Sequence, residues 1–220
     1  VFNIEEKSAS EITEHHTVAK SGLKCVKEIL MATVFDPPDK DRLHSQDRQK
    51  QLPPGLVLKH LNLHPGETLL DIGAGTGYFS IPAAAELIPY GRVIAADISD
   101  EMLGALKERA KGEPGEIECL LTDIDRVPLE AAIADAVLLA FVFYEMPDGL
   151  RWLREVRRLL KEGGRVAIVE WDTVPSPGGP PQEERLSALK VLHMASETGF
   201  SADEKIQLTP YHYLCLLQLV

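Results

Sequence analysis

The chain is short of positive charge. Its 220 residues carry 23 lysines and arginines against 34 aspartates and glutamates, for a formal net charge of −11. A field of that sign repels nucleic-acid phosphates at long range, which argues against a nucleic-acid partner and for a small-molecule one. Cysteine is scarce as well. Cys25, Cys119 and Cys215 are odd in number, far apart and without a C-x-x-C pair, so neither a disulfide framework nor a zinc site is expected. The longest apolar run, Ala136 to Phe143, is far too short to cross a bilayer, and no basic-then-apolar leader opens the sequence. The expectation is a cytoplasmic protein with no membrane partner. His15 and His16 are adjacent and splay apart on a helix, while His60, His64 and His193 lack a carboxylate or cysteine at ligand spacing, so no metal is assigned. No internal repeat is visible, and no heptad or exposed apolar stripe sets an oligomeric state.

What is present suffices for one α/β domain, with 45% hydrophobic residues to fill a single core. Residues 1–50 read as a polar N-terminal extension or cap, with a helix from about Thr17 to Met31 whose Leu23, Val26, Ile29 and Leu30 recur at helical spacing. Met31 reads as a natural start, in which case residues 1–30 do not belong to the domain. Residues 51–220 alternate strand and helix. Helix is expected over 55–62, 77–88, 99–111, 147–161 and 183–198, and strand over 68–72, 92–97, 117–122, 135–143, 164–171, 205–208 and 212–219. Pro82 falls inside the second helix, where it should cost one hydrogen bond and bend the axis. Ser99 can cap the third. Arg151, Arg154, Arg157, Arg158 and Lys161 read as the solvated face of the fourth. Uniformly apolar strands joined by helices predict a doubly wound, mostly parallel seven-stranded Rossmann-like sheet with a C-terminal antiparallel strand.

The most informative stretch is Leu69-Leu-Asp-Ile-Gly-Ala-Gly-Thr-Gly-Tyr-Phe-Ser80, a buried strand running into a glycine loop that opens a helix. Gly73, Gly75 and Gly77 permit φ values closed to other residues and let a ligand approach the backbone, so the loop amides are expected to face a cofactor. A dinucleotide fingerprint needs its third glycine at position 78, which is Tyr78, so a nicotinamide-dependent oxidoreductase is the weaker reading. In an open α/β sheet the ligand lies outside the carboxyl ends of the strands. Asp71, Asp97 and Asp123 stand at three successive strand ends.

The hydrophobic-Asp-x-Gly-x-Gly-Thr-Gly pattern resembles the first motif of the class I S-adenosylmethionine (AdoMet)-dependent methyltransferases. Ala96 to Leu103, Leu121-Thr122-Asp123, Asp135 to Phe141 and Leu159 to Glu170 resemble the motifs that follow it. Gly179 to Leu186, leading to Gly199-Phe200, looks like the small-molecule branch that includes the ubiquinone and menaquinone methyltransferase-like (type 11) proteins. The resemblance implies AdoMet as cofactor, leaving S-adenosylhomocysteine as product. Asp71, Gly73, Ala74, Gly75 and Gly77 would hold its methionine part, Asp97 its ribose, and Ile98, Met102, Asp123, Ile124 and Ala140 would line the adenine and the rest of the pocket. Tyr144 and Glu145, after the fourth strand, are the candidate catalytic pair, although many relatives carry His-Glu there. No N/D-P-P-Y/F/W motif stands at this point, which argues against amide or adenine nitrogen acceptors. Arsenic chemistry would need converging exposed thiolates, and Cys119 and Cys215 read as strand residues. His44 and Tyr211-His212-Tyr213 could line an acceptor pocket. The expected activity is methyl transfer to a small molecule, with a non-catalytic AdoMet-binding protein of the same fold as the alternative.

Overall fold

The computed structural model describes residues 46–123 and 126–219. The expected Thr17–Met31 helix, His44, Cys25 and Ile124 lie outside the described residues. Helix α1 (Gln46–Gln51) and α2 (Pro54–Leu61) lead into β1 (Thr68–Ile72), α3 (Ser80–Glu86), β2 (Arg92–Asp97), α4 (Asp100–Arg109), β3 (Glu116–Leu121) and β4 (Ala134–Ala140). A 3₁₀ turn (Phe143–Glu145), α5 (Gly149–Leu159), β5 (Leu160–Trp171), α6 (Ala188–Glu197), β6 (Phe200–Thr209) and β7 (His212–Leu219) complete the order.

Among the described residues seven strands form one sheet in the order β3-β2-β1-β4-β5-β7-β6. The pairs from β3 through β5 are parallel, and β7 runs antiparallel to both β5 and β6. The doubly wound, mostly parallel architecture is as expected. Its physical basis is burial on both faces. In β1, Leu69 packs in one apolar layer with Leu58 of α2, Ala83 of α3 and Leu106 of α4, while Leu70 and Ile72 pack in the other with Trp152 and Val156 of α5 and Val191 of α6. The strand's two-residue period places Asp71 on the Leu69 face, toward the start of α3.

Local chemistry accounts for most element ends. Ser99 caps α4 by accepting from Met102 N, as expected, and Asp148 and Ser187 cap α5 and α6 in the same way. Regular helix α3 begins at Ser80, so Pro82 stands in its first turn, between the Ile81 N to Gly77 O and Ala83 N to Phe79 O bonds. The Ala188 start of α6 is also later than the sequence suggests, because Gln182–Glu184 forms a separate 3₁₀ turn. The basic stripe of α5 is not simply a solvated face. Arg158 pairs with Glu155 at 2.7 Å and reaches the Leu129 carbonyl, Arg157 donates to Thr198 O, and Lys161 pairs with Asp135 at 2.7 Å. No helix among the described residues is long and apolar enough to cross a membrane.

Candidate functional site

The strand order reverses between β1 and β4, and at such a switch point the diverging loops open a crevice at the carboxyl edge of the sheet. The β1 loop reaches this edge first. Gly73, Gly75 and Gly77 have φ of +74°, +54° and +85°, the left-handed region that favours glycine. A Cβ at Gly73 would lie 2.7 Å from Val142 Cγ2, and one at Gly77 would lie 2.8 Å from Leu106 Cγ. The glycines therefore admit the protein's own side chains beneath the loop.

The expectation that the loop amides face a ligand is overturned. Gly73 N and Ala74 N both donate to the Ala96 carbonyl, at 2.8 and 3.1 Å, and Gly77 N donates to Ala74 O. Gly75 N donates to Asp97 Oδ2 at 2.8 Å. Four donors that could have met a phosphate are engaged internally, so the loop offers close approach and carboxylates in place of an anion cradle.

Those carboxylates converge. Asp71 is 2% exposed and accepts from Ser80 Oγ at 2.5 Å. Burial pushes its carboxyl up to about 7, with Ser80 opposing the shift and the charge of Asp97 adding to it. Asp97 takes Gly75 N on one oxygen and Ser99 N at 2.9 Å on the other, and burial holds its carboxyl above the usual range despite those bonds. Glu145 is raised first by burial and further by Asp97, which places it in the same field. At this edge stand Ile98 just after β2, Met102 on α4 and Ala140 at the end of β4, with Met102 buried. Asp123 is more peripheral. It is exposed, accepts from Arg126 N at 3.1 Å, and lines a surface pocket of about 380 Å³ with Thr122, Arg126 and Pro128.

Beyond β4 the character changes. Tyr144 donates its hydroxyl to Glu145 Oε1 at 2.7 Å, and burial holds its phenol well above the usual value. The turn that presents this pair hangs on Glu170 at the end of β5, which is 1% exposed and accepts from Tyr144 N at 3.1 Å. Burial pushes the Glu170 carboxyl up to about 8 even though the amides of Tyr144, Phe143 and Trp171 bond to it. Sequence reading passed over Glu170 as a residue of a strand motif. The available signal was an acid closing an otherwise apolar strand. Also missed was an aromatic group: Trp171 and His212 have ring centroids 4.2 Å apart, Phe141 is 5.3 Å from His212, and the Arg48 guanidinium lies 4.5 Å from the Tyr78 ring and 5.3 Å from Phe141. Arg185 lies over Trp171 at 5.3 Å. Of the expected acceptor residues, His212 joins this group, whereas the Tyr213 hydroxyl turns away to Leu186 O.

Comparison with known proteins gives this arrangement a class. A methyltransferase domain family matches residues 70–168. An arsenite methyltransferase of Halobacterium salinarum is 36% identical over 115 residues, 51% of this chain and 29% of that protein. The ubiquinone/menaquinone biosynthesis C-methyltransferase UbiE of Ectopseudomonas mendocina is 33% identical over 120 residues, 54% of this chain and 46% of that protein. The chain thus spans less than half the length of these two curated relatives. The crystal structure of a SAM-dependent methyltransferase from Aquifex aeolicus superposes with a TM-score of 0.79 at 28% identity, covering 84% of this chain and all of the other. Residues 70–168 thus match a methyltransferase domain, on a fold shared with a SAM-dependent methyltransferase.

Proposed function

We propose that this chain binds AdoMet through Asp71, the Gly73–Gly77 loop and Asp97 and transfers its methyl group to a small-molecule acceptor. The observation that carries the reading is the Asp97 carboxylate, anchored on each oxygen by one backbone amide, with Asp71 and Glu145 in its field. Such a cluster of partly desolvated carboxylates suits a cationic ligand that carries hydroxyl donors. When bound, AdoMet supplies a methyl group activated on a sulfonium. Asp71 then balances positive charge, Asp97 accepts from ribose hydroxyls, Ile98, Met102 and Ala140 line the remainder of the pocket, and Asp123 stands at its rim.

The protein's remaining work is alignment, exclusion of water and, for an acceptor that must lose a proton, acceptance of that proton. Glu145 is the group for this, pinned by the Tyr144 hydroxyl and set by Glu170. Its raised carboxyl pKa moves it toward the range useful to a general base. A nicotinamide reading is disfavoured because Tyr78 fills the third-glycine position and is tied there by its hydroxyl to Leu52 O at 2.9 Å. Arsenic is disfavoured as the acceptor. Cys119 sits on β3 and Cys215 on β7, toward opposite edges of the sheet, and burial pushes both thiols up, Cys215 to about 12. The reading implies a cytoplasmic enzyme whose catalytic domain is residues 51–220, with residues 1–50 as an extension that contributes Arg48.

The test is titration calorimetry with S-adenosylhomocysteine. Asp97→Ala should weaken binding by roughly 1.5 to 3 kcal/mol, the scale of lost charge-assisted hydrogen bonds. An unchanged affinity would overturn the site. Labelled AdoMet offered with a panel of quinols, phenols and thiols then distinguishes an enzyme from a non-catalytic binder, which would keep the affinity and transfer nothing.

A further inference from the structure

The aromatic group at the ends of β4, β5 and β7 holds a hydrogen-bond donor whose state follows from its neighbours. Thr209 Oγ1 accepts from Tyr211 N at 3.1 Å and from His212 N at 3.2 Å, which occupies both of its lone pairs. It lies 2.8 Å from His212 Nδ1 and has only its own proton left to give. Nδ1 is therefore the acceptor, and the neutral ring carries its proton on Nε2. His212 is 5% exposed, and among the described residues nothing hydrogen-bonds to Nε2. No buried polar side-chain atom there is left without a partner, so Nε2 must stand at the accessible surface of an otherwise buried residue.

Its surroundings select a ligand. Trp171 and Phe141 pack beside the ring, inclined to it by 60° and 75°. Two guanidinium groups act on it, Arg48 from above Phe141 and Tyr78 and Arg185 from above Trp171. Arg185 spends its donors on the carbonyls of Asp172, Val174, Gly178 and Pro180 and on Ser176 Oγ, so its charge is held here without a carboxylate among the described residues. Burial lowers the His212 pKa first and the charges of Arg48 and Arg185 lower it further, to about 4. Asp172, the nearby acid, is engaged with Lys205 at 2.5 Å. Two positive charges, aromatic neighbours and an N–H at the surface form a counterpart to the acidic crevice beside β1 and β2.

We infer that this surface is the acceptor subsite and that it takes a planar conjugated molecule bearing an anionic oxygen, which accepts from His212 Nε2 in the field of Arg48 and Arg185. The inference rests on the methyltransferase reading only in calling the ligand an acceptor. The site itself can be probed without transfer. Cationic amines are excluded from it, and neutral planar molecules bind through their faces alone.

The probes are 2-naphthoate, 2-naphthylmethanol and 2-naphthylmethylamine, titrated into the full chain with and without saturating S-adenosylhomocysteine. Naphthoate should bind about tenfold more tightly than the alcohol, the equivalent of one charge-assisted hydrogen bond, and the amine more weakly than either. His212→Phe keeps the flat ring and removes the donor, and should bring naphthoate down to the alcohol. Arg48→Met should reduce the naphthoate affinity in the same direction while S-adenosylhomocysteine affinity stays unchanged in both variants. Equal affinity of the three probes, no binding by any at millimolar concentration, or a naphthoate preference that survives both substitutions would overturn the proposal. Failure of the cofactor reading looks different: S-adenosylhomocysteine does not bind, and the naphthoate preference remains.

Discussion

The two halves of the crevice are built on opposite plans. The half beside β1 and β2 is made of two neighbouring strand ends and a glycine loop, with two carboxylates whose hydrogen bonds close among the loop, Ser80 and Ser99. The half beside β4, β5 and β7 is made of side chains drawn from positions 48, 78, 141, 171, 185 and 212. The first is acidic and tightly tied, the second aromatic and basic. A half specified by backbone geometry tolerates little change and serves a fixed ligand. A half specified by scattered side chains can be respecified one residue at a time, as a varying acceptor requires.

The sharpest way to break that contrast is to add one methyl group to each half. At Gly73 an alanine meets Val142 at 2.7 Å, at a φ of +74° beneath a loop fixed by four internal hydrogen bonds. The cost should be roughly 2 to 4 kcal/mol, from overpacking and a left-handed φ together. Gly179 has a φ of +91° and its Cβ would meet the Trp171 ring at 2.6 Å, but it lies on an exposed loop that can shift. Gly179→Ala should cost about 1 kcal/mol and loosen the loop over Trp171. Urea unfolding of the two variants decides it, and equal losses would refute the contrast.

Glu170 lies at the join and gives the next largest effect, a pH dependence. Its carboxyl moves from the ordinary 4.5 to about 8 on folding, and that of Asp71 from 3.8 to about 7. The folded chain thus binds more protons than the unfolded one between these values. Stability is fully present below the unfolded pKa and is lost as pH rises through the folded one. Without ligand, the urea midpoint should fall from pH 5 to pH 8. Glu170→Gln should flatten the upper part of that fall and leave the lower part, due to Asp71. A slope identical to that of the unaltered chain would remove Glu170 as its source.

The same contrast explains what could be read in the sequence. Strands β1, β2 and β7 match their expected limits because each is an apolar run bounded by turn residues, and the Asp97 and Ser99 arrangement follows from a strand end and a cap. The orientation of the loop amides was not legible, since alternating glycines allow either an outward cradle or an inward set of bonds. Hydrogen bonding to Ala96 O and Asp97 decides between them. Glu170 and the group of Arg48, Trp171 and His212 have no local pattern. Their proximity is a product of sheet order, which sets the end of β5 beside the start of β7 through the Trp171 and His212 pairing.

The smallest expected effect concerns Tyr144, where the halves meet. Its hydroxyl donates to Glu145 Oε1 at 2.7 Å, and that bond lowers a carboxyl pKa that burial, followed by Asp97, raises. Removing the hydroxyl in Tyr144→Phe therefore lets the Glu145 pKa climb further. If ionised Glu145 accepts the acceptor's proton, the acid limb of the kcat/KM profile moves to higher pH in this variant. The plateau above it should change by no more than about tenfold, because the base itself remains. S-adenosylhomocysteine affinity should not move. Glu145→Gln should erase the limb altogether, which separates a proton acceptor from a residue that only shapes the turn. A limb that stays in place in Tyr144→Phe would assign Tyr144 to packing, and the Glu170-anchored turn would then serve to close the crevice against water.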